Sequence, residues 1–458
     1  MDGGITHVNL NQETAGFVTG FESYKGASRT GNPNPEAYRD SKNTRAWTTF
    51  TKTLGDWDVV LTPYVRDIDM NFIQHFLPGQ PVEETAHQSI GLQSVAFTDL
   101  ANGAQLAVGF DAEVTDGSLT QTQPNPTAGS FFLLNSIPQG KHYDYQVDIE
   151  QVAAFVSYEQ NFQSGWDLSL GLRVEDTNYD YDNRMIDGRT DEFGVACRFG
   201  CRYNRPGDRS DSFTNLSPKL GLSYALNDFH SLQLRAQRGF RAPQASEMYR
   251  LQNNQNIADL NSVELDSYEV EFKGAGEGWA YSAGYYFMDK QNEIVTNSAR
   301  VNLNNSHTQH TGLEFSLGLD ITETLALAAV YNFAEHTYEN SEISGGIDIQ
   351  GNNVDTAPRQ FGNLRLRWTP SERVTSELEL VSMGEYYTNP ENTASYSGHN
   401  LLNLRTQYTV NDSVQIYANI LNLDNREYAE RADWTTFTDD RYFPGEPRRA
   451  FIGITINY

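Results

Sequence analysis

Trp166-Asp-Leu-Ser-Leu-Gly-Leu-Arg-Val-Glu175 is the stretch that decides the fold. Its apolar residues, Trp166, Leu168, Leu170, Leu172 and Val174, fall at every second position, and Asp167, Ser169, Gly171, Arg173 and Glu175 fill the gaps. In an extended strand this spacing gathers the apolar side chains on one face and the polar ones on the other. A helix would wind the same residues around its circumference.

Working outward, the alternation recurs. Tyr268, Val270 and Phe272 alternate with Glu269 and Glu271; Leu364, Leu366 and Trp368 alternate with Arg365 and Arg367. Trp279 to Phe287, Leu313 to Leu319, Val414 to Ile420 and Ala450 to Tyr458 repeat it. About eighteen such segments follow one another, mostly long enough to cross a bilayer at a tilt. Their centres are placed at Phe21, Trp47, Leu61, Leu92, Val108, Phe155, Leu170, Leu220, Leu234, Val270, Tyr285, Phe315, Ala328, Leu366, Leu378, Leu404, Ala418 and Ile454.

Connections alternate in length. Leu54-Gly-Asp56, Gln163-Ser-Gly165, Leu226-Asn-Asp228, Thr369-Pro-Ser-Glu372 and Val410-Asn-Asp-Ser413 are short. The stretches near 115–145, 179–213, 241–262, 338–358 and 425–448 are long. A sandwich or propeller has no reason to keep that alternation. A transmembrane antiparallel β-barrel does, with tight turns on the periplasmic side and long loops outside. The expectation is therefore an all-β barrel, the first strand running outward and the last bringing Tyr458 to the periplasmic rim.

Composition agrees. Aromatics make up 12% of 458 residues, with 25 Tyr, 24 Phe and 36 Gly, residues that suit pleated surfaces and turns. No run of 18 apolar residues exists, and Asn332 interrupts the best helical candidate, Leu325 to Ala334, so a helical span is excluded. A mean hydropathy of -0.57 is compatible with a barrel, whose lipid-facing residues are interleaved with polar ones. The net charge of -27 argues against nucleic acid as a partner; it fits solvated loops, divalent-cation bridging to lipopolysaccharide or attraction of cationic ligands. The two cysteines, Cys197 and Cys201, have neither thioredoxin-like nor zinc-site spacing and are read as a local disulfide in an oxidising compartment. Met1-Asp-Gly-Gly-Ile-Thr6 lacks the basic start and apolar core of a signal peptide, so the natural start is expected upstream.

Three stretches resemble TonB-dependent outer-membrane receptors. Arg238-Gly-Phe-Arg-Ala-Pro-Gln-Ala-Ser-Glu-Met-Tyr249 is similar to that family's "FRAP" region, with Phe240, Arg241, Ala242 and Pro243 as its core. Asn419-Ile-Leu-Asn-Leu-Asp-Asn-Arg-Glu-Tyr428 resembles the penultimate strand with its closing Tyr. The stretch from Arg441 to Tyr458 resembles the last strand, with Pro444, Gly445, Pro447 and Arg448 leading into it; Tyr458 replaces the usual Phe or Trp. The resemblance is sharp from Arg238 onward and architectural before it. It implies residues 1–458 as a receptor barrel domain, about 18 strands of a 22-stranded barrel, with the N-terminal plug and first strands absent and an open edge where they belong.

The same resemblance implies active uptake of a scarce nutrient, a ferric siderophore foremost, in the outer membrane of a Gram-negative bacterium. Partners would be lipid and lipopolysaccharide, the ligand, and the TonB–ExbB–ExbD system acting through the plug. Competing readings are a passive 18-stranded porin and a soluble β-rich binding or adhesion protein. No catalytic constellation stands out, so no enzyme is expected, and no cofactor beyond iron carried inside the ligand.

Arg241, Tyr386, Tyr387, Tyr396, Trp434 and Phe443 are candidate ligand contacts in outer loops, Arg241 otherwise ordering a loop base and the aromatics otherwise forming an interfacial girdle. Arg365, Arg367 and Arg405 are expected to face the lumen. His307 and His310 are read as polar strand-end residues rather than metal or haem ligands. The family resemblance implies that a haem receptor would carry a His in the loop after the "FRAP" region; Gln244 to Ser262 contains none, so the resemblance disfavours haem.

Overall fold

The computed structural model describes residues 1–296 and 301–457. Eighteen strands form one antiparallel sheet. In chain order they are β1 (Asp2–Glu13), β2 (Tyr38–Leu54), β3 (Trp57–Ile73), β4 (Val82–Asp99), β5 (Ala104–Gln123) and β6 (Gly140–Asn161). Next come β7 (Trp166–Asn183), β8 (Arg209–Ala225), β9 (His230–Arg241), β10 (Val263–Gly276), β11 (Trp279–Thr296) and β12 (Asn302–Thr322). The rest are β13 (Leu325–Tyr338), β14 (Gln360–Ser371), β15 (Val374–Met383), β16 (His399–Asn411), β17 (Val414–Leu421) and β18 (Arg449–Ile456).

Each strand pairs with the next in sequence, from β1–β2 to β17–β18. The short-long alternation holds for the connections made of described residues; the one between β11 and β12 lies largely outside them. Gly55 and Gly165 occupy tight turns at φ 65 and 85, where a side chain would be strained. Seventeen of the expected strand centres fall inside strands. The first does not: Phe21 lies in an outer loop, where Val18–Thr19 pairs with Arg441 and Tyr442, and the outward first strand is the more polar β1. Its alternation is too weak to read because Asn, Thr and Gln occupy much of it. Tyr458 lies outside the described residues.

The two faces of each strand meet different surroundings. On β7, Leu170, Leu172 and Val174 are exposed, while Arg173, one position out of phase, donates to Asp111 at 2.7 Å and Glu175 at 2.8 Å on the other face. Apolar residues exposed in register around the sheet, including Phe315, Leu364 and Leu378, form the belt that lipid requires. Further along the same strands the polarity reverses. Beyond Val174 the lipid-phase positions become Asp176, Asn178, Asp180 and Asp182, and the inner-phase positions become Thr177, Tyr179 and Tyr181. The reversal marks the outer membrane boundary. The strands project well past it: β6 has 22 residues, about 70 Å of extended chain. Above the boundary the inner face is a dry core of Tyr143, Tyr145, Val147, Tyr181, Tyr249 and Leu251.

The sheet curls without closing. Among the described residues, β1 pairs only with β2 and β18 only with β17. Ile5 is 74% exposed and Ile452 81% exposed, as expected of strands flanking an open seam.

Candidate functional site

The outer mouth is organised by the loop after β9. Phe240-Arg241-Ala242-Pro243 ends the strand, and Pro243 is fully buried. A proline that lacks an N–H loses nothing in leaving the ladder there. Arg241 forms a two-point ion pair with Glu247, 2.8 and 3.1 Å. Glu247 also accepts from the Gln244 backbone N–H at 2.7 Å, so one carboxylate both caps the short helix Ala245–Tyr249 and holds Arg241. Arg241 is thereby committed to the loop base.

The helix buries Met248 and Tyr249. Tyr249 stacks on Tyr181 with centroids 4.2 Å apart, and its hydroxyl donates to Asp211 at 2.8 Å. Burial first, and the Asp211 carboxylate second, push this phenol well above its ordinary pKa. The next residue carries the loop across the mouth. Arg250 Nη1 meets Glu83 Oε2 on β4 at 2.5 Å. Glu83 is 5% exposed and also accepts from Gln74 at 2.6 Å and Gln121 at 3.0 Å. Tyr143 fixes the following turn, its hydroxyl donating to the Leu251 carbonyl at 2.6 Å.

Between this crossing and its neighbours lies a cleft of about 210 Å³, lined by Phe76, Pro78, Tyr143, Arg202, Tyr203 and Arg250 among others. Tyr203 is the exception in its polar wall: its buried hydroxyl has no partner at hydrogen-bonding geometry among the described residues, and burial, eased by Arg205, pushes its pKa up to about 12. Arg205 is buried and satisfied by carbonyl oxygens, Ile186 at 2.7 Å, Thr190 at 2.8 Å and His142 at 3.0 Å, which freezes the loop carrying Tyr203. That loop also holds the expected disulfide, Cys197–Cys201. Sequence reading missed Glu83, Tyr203 and Arg250, because nothing local marks residues brought together over as many as 167 positions.

The expected loop aromatics gather elsewhere. Tyr386 and Tyr396 are buried with Val18, Tyr24 and Tyr442, with ring centroids 5.5 Å apart for Tyr386–Tyr396 and Tyr24–Tyr396. Their hydroxyls accept from the Ala432 and Ala429 N–H groups at 2.8 and 3.0 Å. Their faces are therefore covered by neighbouring rings, and neither is open to a ligand. Tyr387, Trp434 and Phe443 remain half-buried, Phe443 edge-on to Phe17.

The two C-terminal motifs prove to be halves of one clamp. A Cβ on Gly445 would lie within the Tyr428 ring, and the Gly445 N–H donates to the Tyr428 carbonyl at 2.8 Å. Asn422, at φ 51, ties the halves, donating to the Arg426 and Glu446 carbonyls at 2.9 and 3.0 Å. The Arg448 N–H donates to Asn425 at 3.0 Å; Pro444 and Pro447 flank the contact. Inside the barrel, Arg405 meets Glu379 at 2.6 Å and Arg367 meets Glu377 at 3.3 Å, while Arg365 donates to Asn363 at 2.9 Å. These arginines share the polar face, as expected, and are engaged by the sheet itself.

Comparison with known proteins follows the same lines. The family description "TonB dependent receptor-like, beta-barrel" matches residues 3–423. An iron-regulated outer membrane virulence protein of Vibrio cholerae is 24% identical over 302 residues, 58% of this chain and 43% of that protein; the match thus spans under half the relative's length. The crystal structure of the ferric-catecholate import receptor Fiu from E. coli superposes with a TM-score of 0.76 at 14% identity, covering 100% of this chain and 72% of that one. The siderophore receptor PiuA from Acinetobacter baumannii gives 0.75 at 12% identity, covering 100% and 71%.

Proposed function

This chain belongs to the TonB-dependent receptor-like β-barrel family, and on that premise we propose that it forms the passage of an active uptake receptor for a ferric siderophore. It is an outer-membrane β-barrel, and its family is one of transport receptors. The observation that carries the proposal is the polarity reversal along β6 and β7: an apolar belt outside, a polar interior at membrane depth, and a dry, loop-filled mouth above it. A ligand-gated mouth needs such ordered loops; a passive pore needs an open one.

The cleft beside Arg202 and Arg250 has the chemistry for one planar, oxygen-rich arm of an anionic chelate. At about 210 Å³ it is smaller than a whole small-molecule site, typically about 300–1,000 Å³, so it would take one arm of the ligand and not the whole of it. Iron travels inside the ligand, and energy reaches the passage from TonB, ExbB and ExbD through a plug domain. The seam between β1 and β18 exposes strand edges that are costly in lipid; we read it as the place where further strands and the plug complete the receptor. Just above the belt, Asp116, Asp148 and Asp180 stand exposed side by side in one register row, with Asp67 one strand further on beyond Gln88. Like charges so aligned repel, and lipopolysaccharide phosphates bridged by divalent cations would relieve them.

Uptake of radiolabelled ferric siderophores by iron-starved cells carrying the gene tests the proposal. Saturable uptake that disappears on deletion of tonB is the expected result. Uptake indifferent to tonB, with steady conductance of the purified chain in a planar bilayer, would support the porin instead.

A further inference from the structure

Sequence reading set His310 aside as a strand-end residue. The fold gives it a partner 26 residues away. His310 on β12 and His336 on β13 are direct cross-strand neighbours. Their Nδ1 atoms stand 2.8 Å apart, with ring centroids at 4.9 Å. Both side chains are half-buried and share the phase of Glu314 and Asn332, opposite to the apolar series Leu313, Phe315 and Phe333. They therefore face the interior, near the outer mouth.

Two imidazole nitrogens pointed at each other are an unusual use of a polar pair. Without a guest, one ring must place a proton in the gap and donate to the other. The far side of His310 is fixed: its Nε2 lies 3.0 Å from the hydroxyl oxygen of the fully buried Thr308. When Nε2–H donates to that oxygen, the Nδ1 lone pair is left free and the ring plane is set. A ligand histidine whose second nitrogen is held by a neighbouring acceptor is the arrangement that orients metal-binding imidazoles. Met288 on β11 stands opposite His310 in register, so a thioether belongs to the same interior row, Met288–His310–His336.

We propose that His310 and His336 form a binding site for a late first-row dication, with Thr308 as its positioning residue. The cation would replace the shared proton, taking one Nδ1 from each ring. Water or donors carried by a passing chelate would fill its other positions, with Met288 next along the same row. The affinity order expected is Cu2+ above Ni2+ and Zn2+. With no acidic ligand in the pair, hard cations such as Mg2+ and Ca2+ are excluded.

The test is titration of the purified full chain, in detergent, with Cu2+ alone, read by paramagnetic resonance and by calorimetry. One tight equivalent with a two-nitrogen signature is expected. His310→Gln and His336→Gln should each abolish that equivalent, while His230→Gln, at the periplasmic start of β9, leaves it. Thr308→Val should retain the two-nitrogen spectrum and weaken binding about tenfold, in the range of other second-sphere changes. Heat-modifiable gel mobility checks that each variant is folded. An unaltered spectrum and stoichiometry in a folded His310→Gln/His336→Gln chain would overturn the proposal, as would the absence of any tight equivalent in the parent.

Discussion

Replacing Arg250 by Met tests whether the loop after β9 is held across the mouth by one buried ion pair. Glu83 is 5% exposed, and its remaining partners after the change are the neutral amides of Gln74 and Gln121. Removing one member of a buried pair costs about 3–5 kcal/mol, because the surviving charge stays desolvated. The Arg250 side chain is 34% exposed, so solvent already screens part of the attraction, and about 2–3 kcal/mol is the better expectation. That cost falls on docking of the loop, since the barrel ladder does not depend on it. Hydrogen exchange of the loop amides near Leu251 and Gln255 should then accelerate roughly 30- to 150-fold, at 1.36 kcal/mol per decade, with strand amides of β4 unchanged. Glu83→Gln in the Arg250→Met background removes the stranded charge and should restore most of the protection. Loop exchange unaltered in Arg250→Met, or a double variant no better than the single one, would refute the reasoning.

Gly445→Ala should cost about 1–3 kcal/mol through overpacking against Tyr428, visible as faster exchange of the residue 445 amide and unchanged protection in β5. Phe315→Arg, on the exposed apolar face near mid-membrane, should cost about 2–4 kcal/mol of folding into vesicles. Ser316→Arg, on the inner face one residue on, should leave that folding free energy nearly unchanged in the same urea titration. Burial raises the Asp355 carboxyl above its usual value, and the Tyr338 hydroxyl donates to it at 2.8 Å. The folded loop therefore binds a proton more tightly than the unfolded one, so its stability is greatest below the unfolded carboxylate pKa and declines as pH rises through the folded one. Asp355→Asn should flatten that dependence in exchange measured from pH 4 to 7, a range spanning roughly the carboxylate values.

Legibility in the sequence followed the range of the interaction. Leu168 to Val174 announced a strand because alternation is written within ten residues, and Gly55 and Gly165 announced turns for the same reason. Phe21 misled because an aromatic in a polar setting reads as a strand centre, whereas β1 is too polar to read. For Arg241, read as a ligand contact or as a residue ordering a loop base, the structure shows a partner only six residues on, Glu247. Tyr386 and Tyr396 read as ligand contacts or girdle residues, since sequence shows that an aromatic sits in a loop but not which rings cover it.

By itself the sequence determined the two-faced strands, their number to within the misplaced first one, the inside and outside connections and the local disulfide. Each is a property of one strand, one turn or one short ring of chain. Only the tertiary structure decided that Arg250 meets Glu83, that Gly445 lies on Tyr428 and that His310 faces His336. Those depend on register between distant strands and on how loops fill a mouth, and registers are fixed by the summed pairing of the whole sheet rather than by any segment of it.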